Sequence, residues 1–258
     1  MIINSHQQLT AYREAARIAT EILAQLRDRV APGVFPNELD ELAGKLCQEY
    51  GVRAAFKGVK QAGLTYQHHS CIAVNDEILH GIPDRSRALA VGDLVKLDFG
   101  IVYQGLFTDQ CVTVGVKEVS AEDMKLLQIG KESVLLGIKA AIPGNRTGDI
   151  GYVMHRTAYR AGFDVLKQYV GHGIGHSLHE EPEIPAFGRP KTGQILREGM
   201  VICVEDQVVP GDDRVYVTDN GWTVKTVDGS KGVMFEYMVV VGKKPEILTP
   251  TLDWPLVV

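Results

Sequence analysis

The apolar positions of this chain follow two periodicities that alternate along its length. Near the start they recur at helical spacing: Ala15, Ile18, Ala19, Ile22, Leu23 and Leu26 share one face, and Ser5 with Gln8 three residues on reads as a capping box that opens the helix. Ala31-Pro32-Gly33 stops it. A second helix is predicted from an Asn37 cap to Gly51, with Leu39, Leu42, Ala43, Leu46 and Cys47 inward. Strand signals follow at Cys71 to Val74 and again in Val91 to Gly115, VGDLVKLDFGIVYQGLFTDQCVTVG, where two β-rich runs flank Tyr103-Gln104-Gly105 as a hairpin. Helical spacing returns after Ser120, which has Asp123 three residues on, through Leu126, Leu127, Val134, Leu135 and Ile138 to Ile142-Pro143-Gly144. Another helix runs to Gly162.

Each strand of the predicted hairpin carries one aspartate, Asp98 and Asp109, among residues that favour burial. With a two-residue loop the parity of the two positions puts both carboxylates on one face, opposite or diagonal to each other. A half-buried unpaired carboxylate costs roughly several kcal/mol, and a second one beside it adds repulsion. A cation between them is therefore expected.

The chain also repeats itself. Pro32 and Gly51 are 19 positions apart, as are Pro143 and Gly162, and each interval holds a polar cap and an amphipathic helix. Gly92 to Asp98 is matched by Gly199 to Glu205, six positions each, and Asp109 precedes Gly115 by the six positions that separate Glu236 from Gly242. Three matched pairs of spacings predict an internal duplication, about 5–118 and 120–245, within a single domain spanning 1–258. Two helix-helix-hairpin halves would then bring Asp98, Asp109, Glu205 and Glu236 together near a pseudo-twofold axis. Their flanks, LVKLDFG, LFTDQCV, VICVEDQVV and VMFEYMVV, are those of interior strands. Four interior carboxylates in one place call for divalent metal, and two shared ions are the economical solution.

Composition narrows the setting. The 258 residues are 45% hydrophobic, ample for a core, and the net charge of −5 with no long basic run gives no reason to expect nucleic acid or an anionic membrane as partner. The first residues lack a signal-peptide pattern and no apolar run reaches about 18 residues. A cytoplasmic protein is expected. The four cysteines, Cys47, Cys71, Cys111 and Cys203, show no CxxC spacing and read as reduced, mostly buried thiols.

The densest polar cluster is Tyr169 to Pro182, YVGHGIGHSLHEEP. It matches neither GxGxxG nor GxxxxGK[ST], so its glycines point to close packing of backbone around inward imidazoles rather than to a phosphate cradle. His172, His176 and His179 are candidate metal ligands; in an extended segment His172 and His176 share a face and His179 takes the other. His80, in LHGIPD, is a further candidate. His6, His68, His69 and His155 read as surface residues.

Taken together, Cys71-Ile72-Ala73-Val74-Asn75, His80-Gly81-Ile82-Pro83-Asp84, the two hairpin aspartates, Gly171-His172-Gly173-Ile174-Gly175, His179-Glu180-Glu181-Pro182 and Asn220-Gly221-Trp222-Thr223-Val224-Lys225-Thr226 resemble type I methionine aminopeptidases across nearly the whole chain. The resemblance implies an α+β pita-bread fold, in which duplicated halves surround a curved antiparallel sheet with helices outside and a dinuclear metal site on the inner face. It implies Asp98, Asp109, His172, Glu205 and Glu236 as metal ligands, with His80, His179 and Glu205 as catalytic residues. His80, Cys71, Leu178, His179 and Trp222 would contact substrate. The implied reaction is removal of methionine from peptides and nascent chains with a small second residue, through a metal-bridged water that attacks the first peptide carbonyl. Peptide amino termini are the implied partners, the ribosome is a further candidate, and a monomer is expected. Mn, Fe, Co and Zn all suit one imidazole and four carboxylates.

The chain departs from the family pattern at Gln110, Asp206 and Tyr237, each next to a ligand, so altered metal affinity or rate is expected. Phe56 to Cys71 is longer than the usual pocket loop. The 26 positions between His179 and Glu205 leave no room for the type II insertion. Two rival readings remain: a proline-specific pita-bread peptidase, expected to carry a large N-terminal domain, and a non-catalytic peptide- or ribosome-binding relative, expected to lack ligands.

Overall fold

In a computed structural model describing residues 1–258, four helices back one long antiparallel sheet. α1 is His6–Arg29, α2 Pro36–Glu49, α3 Ala121–Lys139 and α4 Thr147–Arg160. Ser5 caps α1 by accepting from the Gln8 amide, and Ser120 caps α3 by accepting from the Asp123 amide, as the sequence predicts. Two boundaries differ. α2 starts at Pro36 with Phe35, not Asn37, as its N-cap, because the Glu38 side chain accepts from the Phe35 amide and proline suits the first helical turn. α3 ends at Lys139, short of Ile142.

The central sheet runs, edge to edge, through Glu180–Pro185, Val170–Gly173, Val201–Val209, Val233–Val240, Cys111–Gly115, Leu94–Asp98 and Cys71–Val74. Strict alternation along these strands separates two faces. Ile202, Val204 and Val208 pack with Phe235, Tyr237 and Val239 against α3 and α4 residues such as Leu127, Val134 and Met154. Val95, Leu97, Val112 and Val114 likewise pack with Ile22, Leu23 and Leu39 from α1 and α2. Each such fully buried aliphatic contributes roughly 1.5–3 kcal/mol, so the helix-backed face holds the sheet and frees the opposite face for polar residues.

The predicted hairpin around Tyr103-Gln104-Gly105 forms, and its loop is two residues, Gln104-Gly105, at φ 50° and 79°. It does not run as one ribbon. Leu94–Asp98 and Cys111–Gly115 pair inside the central sheet, whereas Ile101–Tyr103 and Leu106–Phe107 pair in a small sheet with Arg53–Ala54. At the break, a Cβ on Gly100 would lie 2.0 Å from the Thr108 carbonyl oxygen, so only glycine fits. Asp98 pairs with Cys111, which leaves Asp109 diagonal to it at the end of the partner strand. No helix is long and apolar enough to cross a membrane.

Candidate metal centre and substrate pocket

The inner face of the sheet opens into a cavity of about 590 Å³. Asp98, Asp109, His172, Glu205 and Glu236 all line it, as do Cys71, His80, Leu178, His179 and Trp222. Glu205 and Glu236 are directly paired across their strands, and Glu236 also pairs with Cys111, the partner of Asp98. The central seam of the sheet thus collects acids from strands far apart in sequence.

These carboxylates are buried without neutralising partners. Carboxylate oxygens of Asp98, Asp109 and Glu236 lie within 4.8 Å of one another, and Asp98 Oδ1, Asp109 Oδ1 and Glu236 Oε1 accept no hydrogen bond. Burial pushes Asp98 and Glu236 well above the ordinary carboxylate range, with repulsion from Asp109 adding to it. Burial likewise raises Asp109 to about 7, and burial with repulsion from Asp109 raises Glu205 to about 8.

His172 completes the floor. Its Nδ1 lies 2.9 Å from the Gly173 carbonyl oxygen, which only accepts, so Nδ1 carries the proton and the Nε2 lone pair faces inward. Nε2 is 3.7 Å from Asp109 Oδ2 and 3.9 Å from Glu236 Oε1. Burial, and then His179, lower His172 to about 4, so it is neutral and these contacts are not ion pairs. Orphaned carboxylate oxygens around an imidazole lone pair fit divalent first-row metal ions.

His179 stacks edge-on to His172, with ring centroids 4.5 Å apart. Sequence parity assigned it the opposite face and grouped His172 with His176; both expectations are corrected. The strand ends at Gly173, and the bend from Gly175 onward returns His179, at the exposed rim of the cavity, to His172, while His176 turns to Gly105, its Nδ1 3.2 Å from that carbonyl oxygen. His80 sits at φ 54° with its ring 5.8 Å from that of Tyr169. A Cβ on the following Gly81 would meet the Ile72 carbonyl oxygen at 2.3 Å, so the His-Gly pair seats His80 tightly against the Cys71–Val74 strand. Burial lowers His80 to about 4, His179 contributing.

Beside the floor, Phe56, Tyr66, Cys71 and Trp222 form one buried apolar cluster with Leu178 packed on it. Tyr66 is a wall residue that sequence reasoning passed over: its ring meets Trp222 edge-on at 5.1 Å, and its hydroxyl donates to the Ser70 and Gly81 carbonyls. The long loop folds into a small hairpin, Lys60–Gln61 with Leu64–Thr65, and contributes Phe56, Val59 and Gln61 to the cavity. Gln207 was also missed, although it shares a strand face with Glu205; its Nε2 donates to Glu205 Oε2. His68 and His69 are not free surface residues. They are half-buried around Asp40, which accepts from the backbone amides of His69 and Ser70.

The model of metallopeptidase family M24 matches residues 10–243. The chain belongs to this family. A methionine aminopeptidase of Clostridium perfringens is 38% identical over 250 residues, covering 96% of this chain and 98% of the relative. The crystal structure of a methionine aminopeptidase from Thermotoga maritima, 37% identical, superposes with a TM-score of 0.91 over 96% of this chain and 99% of that one. An Xaa-Pro dipeptidase from Bacillus anthracis shares the fold alone, at 22% identity and a TM-score of 0.77. The M24 protein therefore has the pita-bread fold, and the family is one of metal-dependent hydrolases.

The three departures from the family pattern fall on the far side of the sheet. Asp206 is bonded by the Ser133 hydroxyl of α3, Gln110 accepts from Thr20 of α1, and Tyr237 packs among the α3–α4 contacts. Neighbours of a ligand in a strand point away from it.

Proposed function

We propose that this M24 protein removes the N-terminal methionine of peptides and nascent proteins with a small second residue, using two divalent metal ions held by Asp98, Asp109, His172, Glu205 and Glu236. The observation that carries the reading is the set of three orphaned, buried carboxylate oxygens on the floor of a pocket with an apolar side wall. The duplicated organisation read from the spacings agrees with acids drawn from both halves of the chain.

Bound divalent ions would supply Lewis acidity and bring a water towards ionisation near neutral pH. The chain's own groups perform the remaining steps. Glu205, which a neighbouring divalent cation would hold as the carboxylate, accepts the water proton and passes it to the leaving amine. His179, neutral and at the cavity wall, donates to the developing oxyanion, and His80 holds the scissile amide. Cys71, Tyr66, Trp222 and Leu178 receive the methionine side chain, worth ~0.8 kcal/mol per buried methylene. The preference for a small second residue rests on the similarity to methionine aminopeptidases. All four cysteines are buried and free, which supports a reducing compartment, and we assign the reaction to the cytoplasm.

Incubation of metal-loaded protein with peptides beginning Met-Gly, Met-Ala, Met-Lys, Leu-Gly and Ala-Pro, read by mass spectrometry, tests this. Release of methionine before Gly and Ala only is expected. Cleavage of Ala-Pro instead would transfer the protein to the proline-specific relatives, and no cleavage with Mn, Fe, Co or Zn would leave a binding protein.

A further inference from the structure

One long basic side chain lies fully inside the molecule without a place in the chemistry above. Lys96 stands two residues before Asp98 on the same strand face and is 1% exposed. Its Nζ donates to the Asn75 carbonyl oxygen at 2.7 Å and to the Gly232 carbonyl oxygen at 3.0 Å. These acceptors belong to two different segments. Asn75 is in the left-handed turn, at φ 57°, that leads into Glu77–Leu79 and so to His80. Gly232 immediately precedes Val233–Val240, the strand that carries Glu236. The segments also touch directly: the Gly232 amide donates to the Asn75 carbonyl at 3.2 Å, and Ile78 and Met234 share one apolar cluster, so Lys96 adds the polar tie that reaches both carbonyls at once.

We propose that Lys96 is a positioning residue, whose amine ties the segments bearing Asp98, His80 and Glu236 into one fixed spacing. A buried carbonyl that loses its donor costs free energy, so neither acceptor is satisfied as well with the segments apart. Two donors on a single head group impose one distance between the two carbonyls, and a shift of about 1 Å at a reacting group is worth up to about 100-fold in rate. Burial pushes the amine down to about 7, with the Glu77 carboxylate opposing. The clamp needs only two N–H donors, which amine and ammonium both supply. Asn75 is itself fixed to the same strand as Lys96: its side chain accepts from the Leu94 amide at 2.9 Å, and its own amide donates to the Leu94 carbonyl. Lys96 therefore extends a rigid Asn75–Leu94 link across to the strand that holds Glu236.

The activity arm of the test rests on the aminopeptidase reading; the spectroscopic arm does not. Lys96→Met keeps the length and apolar stem and removes both donors. In the cobalt-substituted protein the visible absorption of the variant is expected to change in position or intensity at unaltered metal stoichiometry. Its kcat on a Met-Gly peptide, per folded molecule, is expected to fall about 10- to 100-fold with a smaller change in KM. A variant with a lower unfolding temperature but the parent's cobalt spectrum would make Lys96 a stability residue only, and would overturn the proposal. If the parent itself releases no methionine, the function reading fails while the spectrum still decides the role of Lys96. Should Lys96→Met not fold, Lys96→Ala is refolded with n-propylammonium. Recovery of the parent spectrum with it, and not with tetramethylammonium, is the expected result; no recovery overturns the proposal.

Discussion

The strands Val201–Val209 and Val233–Val240 bury acids on both faces, and the two faces treat them differently. On the inner face Glu205 and Glu236 line a cavity of about 590 Å³ beside three carboxylate oxygens that accept nothing. On the outer face Asp206 is enclosed against α3, where Ser133 donates to it, and burial holds it well above the ordinary carboxylate range. Desolvation, with repulsion from Glu205, favours the neutral form of the outer acid. The inner acids are too many and too close for that to be the working state, and an open cavity gives a cation room to enter. Asp206 Oδ1 also accepts no hydrogen bond, so neither burial nor an unanswered oxygen marks a site; several such oxygens gathered beside accessible space do.

The sharpest way to break this contrast is at the inner face. Asp98→Asn should lose bound metal and reduce peptide cleavage by more than about 100-fold, beyond what loss of a merely orienting partner costs. Metal analysis alongside the rate separates the cases, and retained turnover with full metal would sink the ligand assignment. His179→Ala should retain metal and lose about 100- to 1000-fold in kcat, the scale of one oxyanion donor.

The metal-free protein should also respond to pH. Asp109 and Glu205 have folded-state pKa values raised to about 7 and about 8, above those of the unfolded chain. Their contribution to stability is therefore fully present below about pH 4 and is lost as pH rises through 7 and 8. Thermal unfolding in chelator should show a falling midpoint from pH 5 to 8.5, and added divalent metal should raise the midpoint most at the alkaline end. A flat profile would mean that these acids are not neutral in the metal-free state. The smallest effect belongs to the outer face. Asp206→Asn puts a neutral amide of the same shape where burial disfavours the carboxylate and should change stability by about 1 kcal/mol or less, with metal content unaltered.

Several site residues were legible because strand alternation and the repeated spacing are local properties. Asp98, Asp109, Glu205 and Glu236 each occur at fixed distances from a glycine in apolar strand sequence, and that is enough to place them inside. Gln207 was legible on the same grounds, two positions from Glu205, and was overlooked. Parity grouped His172 with His176 and set His179 apart, whereas His179 is the one that meets His172, because parity holds only while the chain remains extended and this strand ends at Gly173. Tyr66 gave no local signal at all. Its part in the pocket comes from Trp222, 156 positions away, and from a hairpin whose geometry turns on Ala62-Gly63.

The sequence by itself determined the helix faces, the hairpin around Tyr103-Gln104-Gly105 and the set of buried acids, since each follows from propensity and periodicity within about ten residues. Tertiary structure alone decided that Glu236 pairs with both Glu205 and Cys111, that His179 folds back over His172, and that Lys96 meets Gly232. It also decided that Asp206, Gln110 and Tyr237 face the helices. These are contacts between segments distant in the chain, and only packing of the helix pairs against one face of the sheet fixes which segments meet on the other.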